Sequence, residues 1–405
     1  MQRPSIAVVG AGVAGAIVVD ALKDRDDVEV VCFERARRGD HAEAGTGLNI
    51  GPNAMKSLEA YFPHIAARLM AASLPWRRWT TGLVDGTILW DMDLAEVADT
   101  LGVRIRWSEL YRVLREPLGD AVEYGSDVTK FDPGEKGVAL HWTDATGNTR
   151  TRTFDFVIGA DGRFGASRAS VAPDAKSRHL GVALSRILFA APPETPIDDY
   201  GQWFNGPARL LAFRTPGDLI YCAASFPIEP GTAIPELMKR PDSLRAIFTD
   251  GCDPSPTCTA LLEGLDQHSE RLHWSRVQEG EIVFARPGGR LVLLGDAAHP
   301  MVPTLGQGAT QAIEDACVAA DTLMDALDAR APLGEVGEAI ACRRAERVRY
   351  VMDASWLASD TLLSGADPVQ GTIWKGGPEF RETLRRVYCG GPVPDQIPKS
   401  PFEIN

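Results

Sequence analysis

Residues 5–15 read SIAVVGAGVAG, and the pattern of this stretch predicts the type of fold. A short apolar, β-branched run leads into the glycine pattern G-x-G-x-x-G of residues 10–15. Apolar residues at helical spacing follow, and then a second apolar run, residues 28–33, which ends on Glu34. The order strand, glycine turn, helix, strand and acid predicts a βαβ nucleotide-binding unit of a Rossmann-like α/β domain.

The parts of this unit have separate tasks. Gly10 permits the tight turn, Gly12 lets a pyrophosphate approach the backbone, and Gly15 lets helix and strand pack closely. Free N–H groups at the start of the helix, that of Ala14 among them, attract the phosphates. Glu34 lies 24 residues after Gly10, near the offset of about 20 at which a carboxylate meets a ribose hydroxyl. The pattern predicts a bound dinucleotide and leaves FAD and NAD both open.

Two further signatures lie far along the chain. Residues 154–168 run from an apolar strand into Asp161-Gly162 before a helix start. Residues 290–316 run from a strand into Gly295-Asp296 and then through a proline-bearing loop into a helix that Gly306 and Gly308 open. We expect Asp296 to accept hydrogen bonds from sugar-alcohol hydroxyls. Free N–H groups at the helix start stabilise negative charge on a ring carbonyl and its neighbouring nitrogen, as in a reduced flavin; here they belong to Gly308, Ala309 and Thr310.

Together the three signatures resemble the class A flavoprotein monooxygenases, the family of para-hydroxybenzoate hydroxylase and salicylate hydroxylase. The resemblance implies that the first signature binds the ADP half of FAD and that Asp161 serves both FAD and a passing NAD(P)H. It implies that the third, residues 295–316 (GDAAHPMVPTLGQGATQAIEDA), holds the ribityl chain and the isoalloxazine. Gly47 and Leu48 lie in a segment that resembles the family's stretch beside the flavin ring. The resemblance covers the whole chain but is weak over residues 177–278.

The chain departs from the family's pattern at two places. Where the family often has a cofactor-contacting arginine, this chain has Trp107, and Arg106 lies one residue earlier; we retain Arg106 as a cofactor candidate. Gly165 stands where the family commonly has serine. Next to Glu34, Arg35 and the two arginines after it are candidates for NAD(P)H phosphates, with a solvated basic turn as the alternative.

The spacing of the signatures predicts the domain organisation. We expect a Rossmann-like FAD-binding domain of the glutathione-reductase type, interleaved with a mostly antiparallel β-sheet substrate domain and followed by C-terminal helices. The FAD-binding domain is assigned to residues 1–71, 101–177 and 283–335, the substrate domain to residues 72–100 and 178–282, and the C-terminal segment to residues 336–405. Only one G-x-G-x-x-G is present, so NADH or NADPH is expected to bind transiently, without a domain of its own.

Composition limits the partners. A net charge of −13 over 405 residues argues against nucleic acid and anionic membranes. No apolar run reaches the roughly 18 residues of a membrane span, and the seven cysteines form no metal-ligand set. We read the cysteines as reduced and expect a cytoplasmic protein, monomer or homodimer, whose partners are a small aromatic substrate, O2 and NAD(P)H.

The resemblance implies an activity. NAD(P)H reduces FAD, O2 forms a flavin C4a-hydroperoxide, and its distal oxygen hydroxylates a small aromatic compound, a benzenoid or N-heteroaromatic acid or phenol. Pro303 is a candidate for a backbone-carbonyl contact to substrate. The candidates for binding a carboxylate or hydroxyl are Tyr221, Arg186, Arg214 and His179, each of which has surface or packing roles as its alternative.

Three other functions stay open on the sequence. A flavin reductase or oxidase would have the same fold with a more hydrophobic substrate pocket. A tailoring monooxygenase would act on a larger natural product. A non-catalytic flavin-binding protein would not need the P-x-x-G-x-G loop.

Overall fold

The structure is a computed structural model that describes residues 3–40, 45–191, 194–286, 288–390 and 397–398. The strands are β1 (Ser5–Val9), β2 (Glu29–Glu34), β3 (Gly47–Ile50), β4 (Leu74–Trp76), β5 (Arg78–Leu83), β6 (Ile88–Asp93), β7 (Gly102–Arg106), β8 (Val122–Tyr124), β9 (Asp127–Pro133), β10 (Val138–Thr143), β11 (Thr149–Phe154), β12 (Phe156–Gly159), β13 (Ser177–Ala190), β14 (Tyr200–Asn205), β15 (Ala208–Thr215), β16 (Leu219–Pro227), β17 (His273–Gly280) and β18 (Leu291–Leu293). The α-helices are α1 (Val13–Leu22), α2 (Pro52–Tyr61), α3 (Pro63–Ala71), α4 (Trp107–Arg115), α5 (Ala166–Val171), α6 (Pro241–Thr249), α7 (Pro256–Gln267), α8 (Gln307–Asp328), α9 (Val336–Ser359), α10 (Pro368–Lys375) and α11 (Pro378–Cys389).

A parallel sheet of order β18-β12-β1-β2-β8 brings the three signatures together. Its central strands are apolar because both faces are covered. On one face Ile6 and Val8 pack with the buried residues of α1 and α8. On the other face Ala7 and Val9 pack with a three-stranded sheet of order β11-β10-β9 and with α9. This sheet confirms the predicted Rossmann-like fold.

A second large sheet has the order β17-β13-β16-β15-β14-β5-β6. Its neighbours pair antiparallel except β14 and β5, which are parallel, so it is the mostly antiparallel sheet expected. Its strands come from residues 78–93 and 177–280. The exact domain boundaries remain predictions.

The two faces of this sheet have different neighbours. One face, with Ile187 and Ala212, packs on α6 and α7. The opposite face, with Leu211, Phe213 and Tyr221, shares a core cluster with Val302, with Leu305 and with α9 and α11. We call it the flavin-side face, because Val302 and Leu305 flank the predicted flavin loop.

The remaining elements complete this arrangement. A small sheet of order β3-β7-β4 lies beside α2. The C-terminal segment is helical through α9, α10 and α11 as far as the described residues extend. No helix within the described ranges is long and apolar enough to cross a membrane. All seven cysteines are free thiols.

Candidate active site

The glycine loop between β1 and α1 gives each glycine a different environment. Gly10 has a φ of +98°, which favours glycine. A Cβ on Gly15 would lie 2.0 Å from the Gly10 carbonyl oxygen, so only glycine fits where helix and strand meet. A Cβ on Gly12 would meet only the Ala160 carbonyl oxygen, at 3.7 Å. Because the protein leaves this space open, a ligand group can approach Gly12, and the first N–H groups of α1, Ala14 among them, lack helical partners.

Glu34 ends β2 beside this loop. Its carboxylate accepts hydrogen bonds from the Ala11 N–H at 2.8 Å and the Ala36 N–H at 2.9 Å. Arg115 of α4 donates to the Ala11 carbonyl at 2.6 Å and lies 3.4 Å from Glu34. The carboxylate therefore lies against the glycine loop, its contact with a ribose stays a prediction, and Arg115 adds a buried positive charge that the sequence did not reveal.

Asp161 follows β12, next to the glycine loop. Burial raises the pKa of Asp161, although hydrogen bonds from the Ser167 N–H and hydroxyl oppose this rise. A Cβ on Gly165 would lie 2.1 Å from Cγ of Asp161. The departure from serine at position 165 thus makes room for Asp161, while Ser167 supplies a hydroxyl. Arg35 is exposed and acts electrostatically on Asp161.

The third signature joins the other two. Gly295, at a φ of +59°, lies between Ala14 of α1 and Ala312 of α8. Arg163 donates to Asp296 at 3.2 Å, and Asp296 is partly exposed beside the start of α8. Arg168 donates to carbonyl groups of residues 281, 297 and 298. The residues of the three signatures therefore lie next to one another in the structure.

The start of α8 combines N–H groups that lack helical acceptors with one buried threonine. Gly306 takes a φ of +65° as the N-cap, and the next N–H groups, including those of Gly308 and Ala309, have no helical acceptor. Thr310 is instead fully buried, and its hydroxyl accepts from the Gly51 N–H at 2.9 Å and donates to the Gly306 carbonyl. The Thr310 hydroxyl thus binds the neighbouring segment at Gly51, and a contact of Thr310 with the cofactor stays a prediction.

The segment beside the predicted ring pairs with β7 and contacts the flavin-side face. Gly47 and Leu48 of β3 pair with Arg106 and Ile105 of β7. A Cβ on Gly47 would lie 2.8 Å from Cβ of Tyr221, so glycine lets β3 approach the flavin-side face. The buried Nε of Arg106 has no hydrogen-bond partner among the described residues, which keeps it a cofactor candidate.

A buried charged network supports this region. Arg344 of α9 donates to Asp315 at 2.7 Å and to Glu314 at 2.8 Å. Asp315 also accepts from the Gly295 N–H and lies 2.5 Å from Nε2 of the fully buried His299. Burial acts to raise the pKa of Asp315, but His299 and Arg344 lower it to about 2. His299 therefore has a structural partner and lies away from solvent.

The structure brings two of the predicted substrate residues together. Tyr221 of β16 pairs with Leu188, and Arg186 of β13 pairs with Ala223, so both side chains lie on the flavin-side face. Burial raises the pKa of Tyr221 to about 12, with Arg186 opposing the rise. Pro303 is exposed between the buried Val302 and Thr304, and its carbonyl accepts from the Gly306 N–H at 2.9 Å.

The other two predicted substrate residues lie elsewhere. Arg214 alternates to the opposite face of β15, where it donates to carbonyl groups of residues 191, 195 and 197. His179 pairs with Gln278 near the start of β13. It is nine residues from Leu188, the partner of Tyr221, which is about 30 Å of strand. The structure therefore does not place Arg214 or His179 with Tyr221 and Arg186.

Arg209 of β15 was not identified from the sequence. It is buried on the flavin-side face and donates to Gln202 at 3.2 Å. Nothing in the local pattern ARLLAF distinguishes it from a surface arginine of an edge strand, because its burial depends on β14 and β16 on either side.

Comparisons with known proteins agree with this geometry. The FAD binding domain family matches residues 273–354. The chain is 33% identical over 337 residues to 3-amino-4-hydroxybenzoate 2-monooxygenase of Streptomyces cremeus, and the match covers 80% of this chain and 79% of that protein. It is 29% identical over 374 residues to 6-hydroxynicotinate 3-monooxygenase of Pseudomonas fluorescens, and this match covers 89% of this chain and 93% of that protein.

A solved structure has the same fold. The crystal structure of Klebsiella pneumoniae HpxO complexed with FAD and uric acid matches with a TM-score of 0.80 at 22% identity, covering 96% of this chain and 98% of that one. The sequence relatives, the fold and the convergence of the three signatures lead to one conclusion. The chain belongs to the class A flavoprotein monooxygenases, FAD-dependent enzymes that use NAD(P)H and O2 to hydroxylate aromatic compounds.

Proposed function

We propose that this enzyme hydroxylates a small aromatic acid or phenol, bound between the loop of Pro303 and the flavin-side face. The observation that carries the proposal is the packing of Tyr221 and Phe213 against β3, on the same face that contacts Val302 and Leu305. A substrate there has protein on one side and the predicted ring site on the other. Relatives named for an aminohydroxybenzoate and a hydroxynicotinate support this substrate class.

The residues present fit FAD along its whole length. The open space at Gly12 and the start of α1 suit the pyrophosphate, with Gly10 and Gly15 shaping the turn. Glu34 suits the adenosine ribose, and Asp296 suits the ribityl chain. The start of α8 at Gly306, Gly308 and Ala309 suits the negative end of the reduced ring, with Gly47, Leu48 and Arg106 beside it.

When bound and reduced by NAD(P)H, FAD supplies the activated oxygen that is inserted into the substrate. The protein must orient the aromatic ring and exclude water. Apolar groups of Val302, Leu305 and Phe213 line the region. Like an ordinary tyrosine, Tyr221 is a neutral phenol at pH 7, and burial raises its pKa further, to about 12; it therefore acts as a hydrogen-bonding group. The Pro303 carbonyl has a second lone pair that can accept a hydrogen bond from a substrate hydroxyl.

We place the approach of NAD(P)H on the side of Asp161. A cavity of about 260 Å³ lies there, lined by Arg163, Phe164, Arg168 and Pro300 among others. Phe164 is 86% exposed, which suits a face for a planar ring. Arg35 is exposed near Asp161 and is available to a phosphate.

Two further points stay predictions from the sequence. A cytoplasmic location suits an enzyme that consumes NAD(P)H and carries free thiols. The oligomeric state is a monomer or homodimer.

The test measures NAD(P)H oxidation by the purified FAD-loaded enzyme with hydroxybenzoates, aminobenzoates and hydroxypyridine carboxylates, while hydrogen peroxide is followed in parallel. We expect one of these compounds to accelerate oxidation many-fold with little peroxide and to yield a hydroxylated product. Tyr221→Phe should lower this coupling, whereas Tyr61→Phe, an exposed tyrosine on α2, should not. Acceleration that yields only peroxide, or no acceleration by any compound, would contradict the proposal.

A further inference from the structure

The cavity beside the loop of residues 163–165 has a volume of about 260 Å³. A complete small-molecule site has about 300–1,000 Å³, so this cavity suits one part of a dinucleotide rather than the whole molecule. Its wall is mostly uncharged: among the described residues, only Arg163, Arg168 and Glu279 bring a charged side chain to it. Which ligand fits the cavity therefore depends on which of these three charges lacks a partner within the protein.

Both arginines of the cavity already have acceptors. Arg163 donates to Asp296 at 3.2 Å. The buried guanidinium of Arg168 donates to the carbonyl groups of residues 281, 297 and 298. Neither arginine can bind a phosphate without giving up a contact within the protein.

Glu279 of β17 is the charged residue of this cavity that lacks hydrogen bonds. Its side chain is only 18% exposed, and its carboxylate accepts no hydrogen bond from the part of the chain that the structure describes. Arg178 lies 3.9 Å away, and its guanidinium is exposed and stacks on Trp356 at 3.6 Å from the ring centroid. Burial raises the pKa of Glu279, although Arg178 opposes the rise. A ligand that donates hydrogen bonds would stabilise this carboxylate.

An aromatic ring belongs to the same cavity wall. Phe164 is 86% exposed and lines the cavity together with Glu279. An aromatic face binds a base by stacking, and a carboxylate accepts hydrogen bonds from the hydroxyls of a ribose. A stacking ring and an unpaired carboxylate in one cavity are complementary to a nucleoside whose ribose hydroxyls are both free.

We propose that this cavity binds the adenosine of the nicotinamide cofactor, and that Glu279 selects NADH over NADPH. The inference rests on the proposed function, which places the approach of NAD(P)H at this cavity, and it adds which of the two cofactors is used. The adenosine ribose of NADH has a 2′-hydroxyl that donates to the carboxylate. In NADPH a phosphate replaces that donor and brings like charge next to Glu279, while both arginines of the cavity are engaged elsewhere.

The first experiment measures binding without turnover. Calorimetric titrations of the oxidised holoenzyme compare ADP-ribose with 2′-phospho-ADP-ribose, which differ only in the phosphate that distinguishes NADPH from NADH. We expect the wild type to bind ADP-ribose about 10- to 100-fold more tightly, as for hydrogen bonds to a charged group. Glu279→Gln should reduce this preference to about threefold or less, since it removes the charge and keeps the size. Glu279→Lys should reverse it, since an ammonium group pairs with phosphate.

Two control variants separate selectivity from affinity. Phe164→Ala should weaken both ligands alike, by about fivefold or more, because the loss of base stacking does not involve the ribose. Glu281→Gln removes the same charge two residues from Glu279, at an exposed position that does not line the cavity. It should leave the preference for ADP-ribose unchanged.

Anaerobic reduction of the bound flavin tests the same choice with the complete cofactors. NADH should reduce the wild-type holoenzyme more efficiently than NADPH, and Glu279→Gln should narrow the difference. The proposal is overturned if the wild type shows no preference for ADP-ribose, including the case in which neither ligand binds, or if Glu279→Gln keeps the full preference. These measurements need no aromatic compound. A wild type that prefers ADP-ribose but hydroxylates none of the tested compounds would therefore overturn the proposed function and leave the role of Glu279 intact.

Discussion

At the scale of single residues, the glycine loop separates two demands that a Rossmann fingerprint usually combines. Gly15 is required by the protein itself, because its Cα faces the Gly10 carbonyl at the contact of α1 with β1. Gly12 has a φ of −71° and open space beside it, so neither backbone conformation nor packing excludes a side chain there. We therefore expect the requirement for glycine at position 12 to come from the cofactor.

This difference predicts opposite outcomes for two alanine substitutions. Gly12→Ala should leave the Tm of the apoprotein within about 2 °C and raise the dissociation constant for FAD at least about tenfold, since a methyl group meets the pyrophosphate. Gly15→Ala should lower the free energy of unfolding by about 1–3 kcal/mol, as overpacking does. Thermal denaturation of the apoprotein and quenching of FAD fluorescence measure the two effects. Equal losses of stability in both variants would contradict this reading.

The same residues show what a sequence can predict. The tasks of the three glycines follow from one local pattern, as does the position of Glu34 at the end of β2. Arg115 and Arg209 could not be found in this way, because their burial and partners come from strands and loops distant in sequence. Arg214 was predicted beside the substrate, but strand alternation turns it to the opposite face, where backbone carbonyls bind it.

At the scale of elements, α8 and α9 meet through the network of Arg344, Glu314 and Asp315. The network holds Gly295 and, through Asn53, the start of α2. The sequence predicted the helix but not this role, since the acids of the pattern EDA give no sign of their partner on α9, about thirty residues later. The contact of the Thr310 hydroxyl with Gly51 could not be predicted for the same reason, because it is long-range.

Removal of the shared cation should be costly. Arg344→Met should lower the free energy of unfolding by about 3–5 kcal/mol, because two buried carboxylates lose the cation that they share. Arg343→Met, next to it but exposed and paired with Asp321 on the surface, should cost about 0–1 kcal/mol. Denaturant titrations at pH 7 compare the two. A loss in Arg344→Met no larger than in Arg343→Met would show that the network does not stabilise the fold.

The network also predicts the acid limit of stability. Burial opposes ionisation, but Arg347 and Arg344 lower the pKa of Glu314 to about 2, and His299 and Arg344 lower that of Asp315 to about 2. In the unfolded chain the two carboxyls have their ordinary pKa values, 4.5 for Glu314 and 3.8 for Asp315. Because folding lowers both pKa values, the carboxyls stabilise the protein fully at a pH above 4.5, and this contribution is lost as the pH falls toward 2. Denaturant titrations at several pH values between 7 and 3 should show that the free energy of unfolding of the wild type declines with falling pH. In Arg344→Met this decline should be weaker or reversed.

At the scale of the whole molecule, signatures more than a hundred residues apart in sequence lie next to one another. Ala160 lies against Gly10, and Gly295 lies between α1 and α8. The flavin-side face, the loop of Val302 and the C-terminal helices share a single core cluster. The sequence predicted this convergence from the family's pattern of signatures, whereas the coverage of the sheet by α9 and α11 had no local signal. A cofactor that contacts all three signatures should therefore act on the stability of the entire chain.

This expectation can be tested by thermal unfolding of the apoprotein with added FAD. At a free FAD concentration of 100 times its dissociation constant, binding adds about 2.7 kcal/mol to the free energy of unfolding, which is about 3 °C for a chain of this length. Far-ultraviolet circular dichroism follows the whole chain, and tryptophan fluorescence reports strongly on the sheet that holds Trp79 and Trp90. Both signals should shift together in one transition, and both should shift by about half as much or less in Gly12→Ala at the same FAD concentration, since a tenfold weaker affinity leaves about 1.4 kcal/mol of this stabilisation. If FAD moved the circular dichroism transition while the fluorescence transition stayed in place, the two sheets would unfold independently, and the substrate-binding face would not be coupled to the cofactor through the shared core.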